Sequence, residues 1–207
     1  MQIKKGESMG IYPIQFSKIR RKIIVDSEDV EIGEPVDIGF SLELEPKFFV
    51  VGGGFIEELL EMLKRREDVD QLVKLDQIES ISDAIYLNVA ETELLRSENL
   101  SLMDEGIVLF SEICRIPLFD GNGIPLGNVK DVVFSPDKTE FIFSDPQFNR
   151  QMAEKGYGQR IEFILPKSYF SFQPGLLSIS LLKEDIENKA LKEVVPKKRG
   201  KQVIAPV

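Results

Sequence analysis

The chain has 207 residues, of which 43% are hydrophobic and 29% charged, and its 26 Lys and Arg against 35 Asp and Glu give a formal net charge of -9. It contains no His, no Trp and a single Cys. This composition excludes Ser-His-Asp and Cys-His catalysis, His-ligated metals and an intramolecular disulfide, whereas carboxylate, Lys and Tyr chemistry is not excluded.

Charge is distributed unevenly along the chain. Residues 1–22 and residues 189–207 each contain six basic side chains against one acid, so each end has a net charge of +5, and residues 23–188 have a net charge of -19. Because an acidic body repels nucleic acid, we expect no nucleic-acid partner. The simplest interpretation of the basic ends is solvated tails, and the alternative is contact with a phosphate, an anionic membrane surface or an acidic protein.

The beginning of the chain and its cysteine content bear on localisation. Residues 1–10 are polar and no apolar run follows them. No stretch approaches the roughly 18 apolar residues that a spanning helix needs. A single Cys is typical of a protein from a reducing compartment. We therefore expect a cytoplasmic protein without a membrane span.

An internal repeat is the most informative feature of the sequence. When the chain is shifted by 94 positions, residues 23–40 (IIVDSEDVEIGEPVDIGF) coincide with residues 117–134 (PLFDGNGIPLGNVKDVVF). Each segment has the pattern of a strand, a polar turn and a longer strand with an internal Gly, which commonly marks a bulge or bend. Three matched pairs are interpreted as structural residues of the repeat: Gly33 with Gly127, Asp37 with Asp131, and Phe40 with Phe134.

The elements downstream also correspond between the two copies. Each copy is predicted to continue with a strand, a helix and then two short β segments; these are 47–51, 55–66, 72–75 and 78–89 in the first copy, and 140–143, 146–155, 161–165 and 169–180 in the second. The sequence therefore predicts a mainly β protein with two small curled sheets or barrels in tandem, each with one short helix.

Domain boundaries follow from this pattern and from the polar, turn-prone run at 96–106. We predict a basic N-terminal segment at 1–15, a first domain at 16–98, a second domain at 106–188 and a basic, disordered tail at 189–207. Residues 183–194 have the pattern of a short helix, whereas 196–207 contain too little apolar surface to offset their ordering entropy.

Two loops carry candidate ligand sites. Gly52-Gly53-Gly54, before the predicted helix, is interpreted either as a flexible connection or as an anion site, although it lacks the Lys-Ser/Thr of a P-loop. Asp120-Gly121-Asn122-Gly123 resembles the start of a calcium loop, but Asp131 stands where the bidentate Glu is required, which favours a hairpin turn. The sequence therefore predicts no metal and no cofactor.

Asp37, Asp131 and Cys114 are the remaining candidate residues. Because Asp37 and Asp131 recur at one place in both copies, a role in the fold, such as capping a turn, is favoured over catalysis. Cys114 is predicted to lie on a strand at 113–116, without a redox partner.

Two segments are candidates for binding partners. The apolar face of helix 55–66, with Phe55 and Leu59, is predicted to pack on its own barrel or, alternatively, to form an exposed partner-binding surface. The C-terminal tail combines a basic cluster, Lys197, Lys198 and Arg199, with two apolar side chains, Val203 and Ile204. This combination is typical of a short linear interaction motif, and an unassigned disordered tail is the alternative.

The repeat resembles the PRC-barrel family. The resemblance depends mainly on residues 120–134 (DGNGIPLGNVKDVVF) and on Leu165-Pro166 in the second copy. The first copy matches approximately, with Pro35 where the motif has Val and with a closing step at 75–85 (LDQIESISDAI). The resemblance covers about 150 residues, and its motifs are short and mostly structural.

This resemblance implies a non-catalytic adaptor that binds other proteins and is capable of self-association. Members of the family occur in the photosynthetic reaction centre, in the ribosome-maturation factor RimM and, in archaea, as cell-division proteins that work with the FtsZ ring and its membrane-anchor protein. We therefore expect a scaffold in archaeal cell division, with a RimM-like ribosome or RNA maturation factor as the alternative.

Overall fold

The computed structural model describes residues 13–52, 71–96, 106–135, 138–156, 161–193 and 202–204, with backbone alone for 189–193 and 202–204. We refer to described residues up to 96 as the first half and to those from 106 onwards as the second half. The protein is mainly β, with curled sheets and a few short helices, which confirms the predicted fold class.

The first sheet lies mostly in the first half. In spatial order it contains β6 (Ile78–Ile81), β7 (Ile85–Leu87), β2 (Ile24–Val25), β3 (Glu31–Phe40), β4 (Pro46–Gly52), β5 (Gln71–Lys74) and β8 (Leu95–Arg96). Strands β2 and β7 are parallel, and the other neighbours along this path are antiparallel.

The second sheet has the same spatial order, with each strand replaced by the strand eight places later along the chain. It contains β14 (Phe170–Gln173), β15 (Leu176–Ile179), β10 (Leu118–Phe119), β11 (Pro125–Ser135), β12 (Lys138–Ser144), β13 (Ile161–Pro166) and β16 (Gln202–Ile204). The sheets differ at one edge, because β8 is antiparallel to β5 and β16 is parallel to β13.

Two short strands are exchanged between the halves. Strand β1 (Ile14–Gln15) precedes the first sheet in the chain but pairs with β11 of the second, with Ile14 opposite Phe134. Reciprocally, β9 (Val108–Leu109) pairs with β3 of the first sheet, with Val108 opposite Phe40. Each half therefore contributes a strand to the sheet of the other.

In the described part of the chain, four helices and three 3-10 turns connect the strands. The helices are α1 (Phe16–Ile19), α2 (Phe110–Ile113), α3 (Pro146–Glu154) and α4 (Lys183–Glu193), and the 3-10 turns are Leu75–Gln77, Glu91–Glu93 and Lys167–Tyr169. Asp145 begins α3, since its carboxylate accepts hydrogen bonds from the backbone N–H groups of Gln147 and Phe148.

The long strands β3 and β11 bend at their predicted glycines. Gly33 and Gly127 have φ values of 154° and 101°, which side-chain-bearing residues rarely adopt. A Cβ at Gly33 would clash with the carbonyl oxygen of Gly52, and one at Gly127 with that of Ser144. Both positions therefore require Gly, because β3 and β11 there pass directly against the ends of β4 and β12.

One continuous hydrophobic core joins the two halves. Phe rings meet across the boundary in four pairs, Phe16–Phe110, Phe40–Phe110, Phe40–Phe141 and Phe49–Phe134, with centroids 5.8, 6.2, 5.7 and 5.9 Å apart. Each of these rings is at most 6% exposed. Since aromatic side chains contribute the largest apolar areas to a core, the halves stabilise each other through this boundary.

The structure differs from the sequence prediction in two local details. Cys114, predicted on a strand, is the residue that ends α2, because the 110–113 segment closes a helical turn with a hydrogen bond from the Cys114 N–H to the carbonyl of Phe110. In the tail predicted to be disordered, the structure pairs β16 with β13, whereas α4 ends at Glu193, within the short helix predicted at 183–194.

Candidate interaction site

The aspartates of the repeat connect the two halves. Asp131 on β11 is 6% exposed, and its carboxylate accepts hydrogen bonds from the N–H of Ser17 (3.1 Å) and from Nε2 of Gln15 (2.6 Å). Asp37 on β3 accepts one from the N–H of Ser111 (3.1 Å). Ser17 and Ser111 are the second residues of α1 and α2, so each aspartate caps a helix of the other half.

The aspartates supply the N-terminal hydrogen-bond acceptors that α1 and α2 lack in their own half. Gln15 and Leu109 occupy the N-cap positions, and neither side chain caps its own helix. The missing acceptor comes instead from the neighbouring sheet, and the same aspartates also accept from the N–H groups of Ile38 and Val132. Asp37 and Asp131 therefore stabilise the boundary between the two halves.

Asp26 and Asp120 form a second matched pair, and each closes the sheet of its own half. Oδ1 of Asp26 accepts from the N–H groups of Glu28 and Val30 (both 2.8 Å), and Oδ2 accepts from the N–H of Glu91 (2.8 Å). These hydrogen bonds, that from Val30 foremost, lower the pKa of Asp26 despite its burial. The side chain therefore ties the β2–β3 turn to the 3-10 turn that follows β7.

Asp120 makes the corresponding contacts in the second half. Its Oδ1 accepts from the N–H groups of Asn122 (2.9 Å) and Ile124 (2.7 Å), and its Oδ2 accepts from the N–H of Lys183 (2.9 Å). Burial opposes ionisation, but these bonds, that from Lys183 foremost, together with the Lys183 charge lower the pKa of the carboxyl. Both oxygens thus accept from backbone N–H groups, which fits the hairpin interpretation of this loop better than a calcium site.

An ion-pair cluster is particular to the second half. Nζ of Lys183 lies 2.8 Å from Oδ2 of Asp145 and 3.7 Å from Oε1 of Glu187. Burial raises the pKa of Glu187, and the nearby Asp145 charge raises it further, whereas Lys183 lowers it. These groups hold α4 against the N-terminus of α3, so their role is structural. Among the described residues there is no group of three or more potential metal-ligating side chains.

The surroundings of Cys114 disfavour its reactive thiolate form. Burial raises the pKa of Cys114 to about 12, and the negative charges of Asp37 and Asp131 contribute to the shift. Because the thiolate is the nucleophile, a pKa in this range leaves the side chain unreactive near neutral pH.

A cleft of about 550 Å3 opens between the two halves. Its floor contains Ile14 and Phe134 of the β1–β11 pair and Ile78 of β6, each at most 9% exposed. Lys167 and Glu45 form an ion pair at its rim, one from each half. The cleft thus combines an apolar floor with charged edges, a combination typical of binding sites.

The corresponding place in the second half is filled. Ile78 is the first residue of β6, and Phe170 is the first residue of β14, each directly after a 3-10 turn. The Phe170 ring packs on Phe141 and Phe143, with centroids 5.1 and 6.5 Å apart. At the corresponding position Ile78 has the smaller side chain, and it lies in the lining of the cleft. The predicted elements did not indicate this site, although aligning β6 (78–81) with β14 (170–173) residue by residue puts Ile78 opposite Phe170.

The proposed partner-binding residues lie largely outside the described chain. Phe55, Leu59 and the cluster Lys197–Arg199 are not among the described residues, and neither are Gly53 and Gly54. Val203 and Ile204 are on β16, where the backbone pairs with Glu162 and Phe163. The other predicted structural residues, Phe40 and Phe134, contribute rings to the shared core, at 0% and 4% exposure.

Comparison with known proteins adds no relative: no family model matches this sequence, and no curated protein matches it significantly. None of the helices in the described part of the chain is both long and apolar enough to cross a bilayer.

Proposed function

We propose that this protein is a non-catalytic interaction adaptor whose partner binds in the cleft between the two halves. The observation that carries the proposal is the buried apolar floor of Ile14, Ile78 and Phe134 beneath a charged rim. The buried aspartates support a non-catalytic role, because their oxygens accept hydrogen bonds that maintain the fold.

An extended protein segment is the partner that fits this cleft. Ile78 and Ile81 line it, and both belong to β6, which pairs with β7 alone among the described strands. A peptide added to the free edge of β6 would form backbone hydrogen bonds and direct alternate side chains towards the apolar floor. The ion pair of Lys167 and Glu45 offers both signs of charge to polar groups at the rim.

The wider role is proposed from the resemblance to the PRC-barrel family. By that resemblance the protein is a cytoplasmic scaffold of the archaeal cell-division machinery, and its partner is a component of the FtsZ ring or its membrane anchor. The acidic body, with a net charge of -19 over residues 23–188, favours a protein partner over RNA.

Filling the cleft tests the proposal. Ile78→Phe introduces the residue that stands at the corresponding position of the second half, and Ile81→Lys places a charge on the cleft side of β6. Tagged wild-type protein should recover a division-ring component from native cells, and purified partner should bind it directly. Each variant should weaken that binding at least tenfold.

Leu176→Ser is the matched control, because Leu176 is 44% exposed and lies in the second half, away from the cleft lining. It should bind like wild type, and urea unfolding should show that all three variants are folded. Equal binding by wild type and Ile78→Phe would contradict the cleft as the site. Recovery of ribosomal particles in place of division proteins would instead indicate the RimM-like alternative.

A further inference from the structure

A second concave surface lies in the first half, beside the end of α1. This groove of about 570 Å3 is lined by Arg20, Arg21 and Glu34, together with Ser17, Pro35 and Val36. Val36 is 48% exposed, which is unusual for a large apolar side chain on a central strand. Both arginines are exposed, and no described residue forms an ion pair with either.

The turn between β2 and β3 has the opposite charge. Glu28, Asp29 and Glu31 are exposed there, and Val30 between them is 42% exposed. None of the three acids has an ion-pair partner among the described residues. Asp26 fixes the conformation of this acidic tip through its hydrogen bonds to the N–H groups of Glu28 and Val30.

The groove and the acidic tip have complementary compositions. The groove presents two guanidinium groups and one carboxylate, that of Glu34, beside an exposed Val, and the tip presents three carboxylates beside an exposed Val. Glu31 and Val36 are five residues apart on β3, which corresponds to about 17 Å along a strand. A twofold interface brings the same patch of each copy together, so a symmetric dimer can satisfy both groove–tip contacts at once.

The second half lacks both features. At the repeat offset, Arg20 corresponds to Cys114, and Val36 corresponds to Lys130. The turn at Asp120 continues as Gly-Asn-Gly and has none of the tip acids. The complementary pair therefore has no counterpart at the repeat-related positions of the second half, although the strands there match.

We propose that this face of the first half binds a second copy of the chain in a symmetric dimer, in which Arg20 and Arg21 of each copy contact the acidic tip of the other. Exposed arginine–carboxylate contacts are individually weak and are screened by salt. The dimer should therefore be concentration-dependent and should dissociate as the ionic strength rises. This inference is independent of the cleft and of its partner.

Charge reversal on the full-length protein provides the test. By sedimentation velocity at about 20 mM salt, wild type should form a two-chain species with increasing concentration, and about 500 mM salt should convert it to single chains. Arg20→Glu with Arg21→Glu should abolish the two-chain species, and so should Glu28→Lys with Glu31→Lys. An equimolar mixture of the two double variants should restore it, because each groove then meets a tip of opposite charge.

Arg115→Glu is the matched control, since Arg115 corresponds to Arg21 at the repeat offset, and it should dimerise like wild type. Circular dichroism should show that every variant keeps its β structure. Single chains of wild type at all concentrations would overturn the proposal. So would species larger than two chains, unchanged dimerisation of the double variants, or a mixture that stays as single chains.

Discussion

The two halves share their framework and differ at their surfaces. Both have the same strand order, a bend at a required Gly, and an aspartate that caps a helix of the other half. In the second half the Phe170 ring packs against β12, whereas in the first half the smaller Ile78 lines the cleft. Residues at which the halves agree therefore identify the fold, and residues at which they differ identify candidate binding surfaces.

The closing contacts show the same contrast. Glu91 and Lys183 each donate a backbone N–H to Asp26 or Asp120, at 2.8 and 2.9 Å, so the backbone geometry is shared. The Lys183 side chain then pairs with Asp145, which secures α4 in the second half. The hydrogen bond to the aspartate is shared because its donor is a backbone N–H, whereas the ion pair with Asp145 requires the Lys183 side chain.

The largest expected effect concerns the shared core. Phe110 contacts both Phe16 and Phe40, so Phe110→Ala should lower the free energy of unfolding by about 3–5 kcal/mol. Because the core is continuous, both halves should still unfold in one urea transition. Leu176→Ala, at an exposed position, should change the free energy of unfolding by less than about 0.5 kcal/mol. Two separate urea transitions would show that the halves unfold independently, which would contradict a shared core.

An intermediate effect is expected at the reciprocal caps. Asp131→Ala should cost about 2–3 kcal/mol, because it leaves the N–H of Ser17 and the amide of Gln15 without their acceptor in a largely buried place. Asp37→Ala should cost about 1 kcal/mol, since Asp37 is half-buried and accepts from one N–H of the other half. Equal costs at the two sites, measured by urea unfolding, would argue against their different burial as the cause.

The smallest effect is expected from acid. The pKa values of Asp26 and Asp120 are lowered in the folded protein, so their stabilising contribution is present above the unfolded value of about 3.9 and is lost as pH falls through the folded values. The free energy of unfolding should therefore decrease as pH falls below about 4. Asp26→Asn with Asp120→Asn should be less stable at pH 7 and should lose less stability between pH 4 and pH 2. An unchanged pH profile in the double variant would contradict this role.

Local structure was largely accessible from the sequence. The offset between 23–40 and 117–134 located the hairpins, and the internal Gly residues marked the bends, because few residues other than Gly tolerate their φ values. The predicted helix at 146–155 is α3, which Asp145 and Pro146 begin. Such features depend on residues near one another in the chain.

The arrangement between the halves was not accessible in the same way. Strand β9 (Val108–Leu109) is apolar, but nothing local indicates that it pairs with β3 and not with its own sheet. The Asp37 and Asp131 pattern predicts a role in the fold, but its partner residues lie 74 and 114 positions away. The cleft is lined by residues from both halves, such as Ile14, Ile78 and Phe134, which lie far apart in the chain, so no local pattern indicates it.

The central claim is that exchanged strands, reciprocal caps and a common core make the two halves one unit. It is tested most directly by inserting a protease site within 97–105, cleaving the folded full-length protein, and measuring the mass of the product by native mass spectrometry and size exclusion. We predict that the two fragments remain together as one particle and unfold in a single urea transition. Separation of the fragments into two folded species under native conditions would contradict the claim.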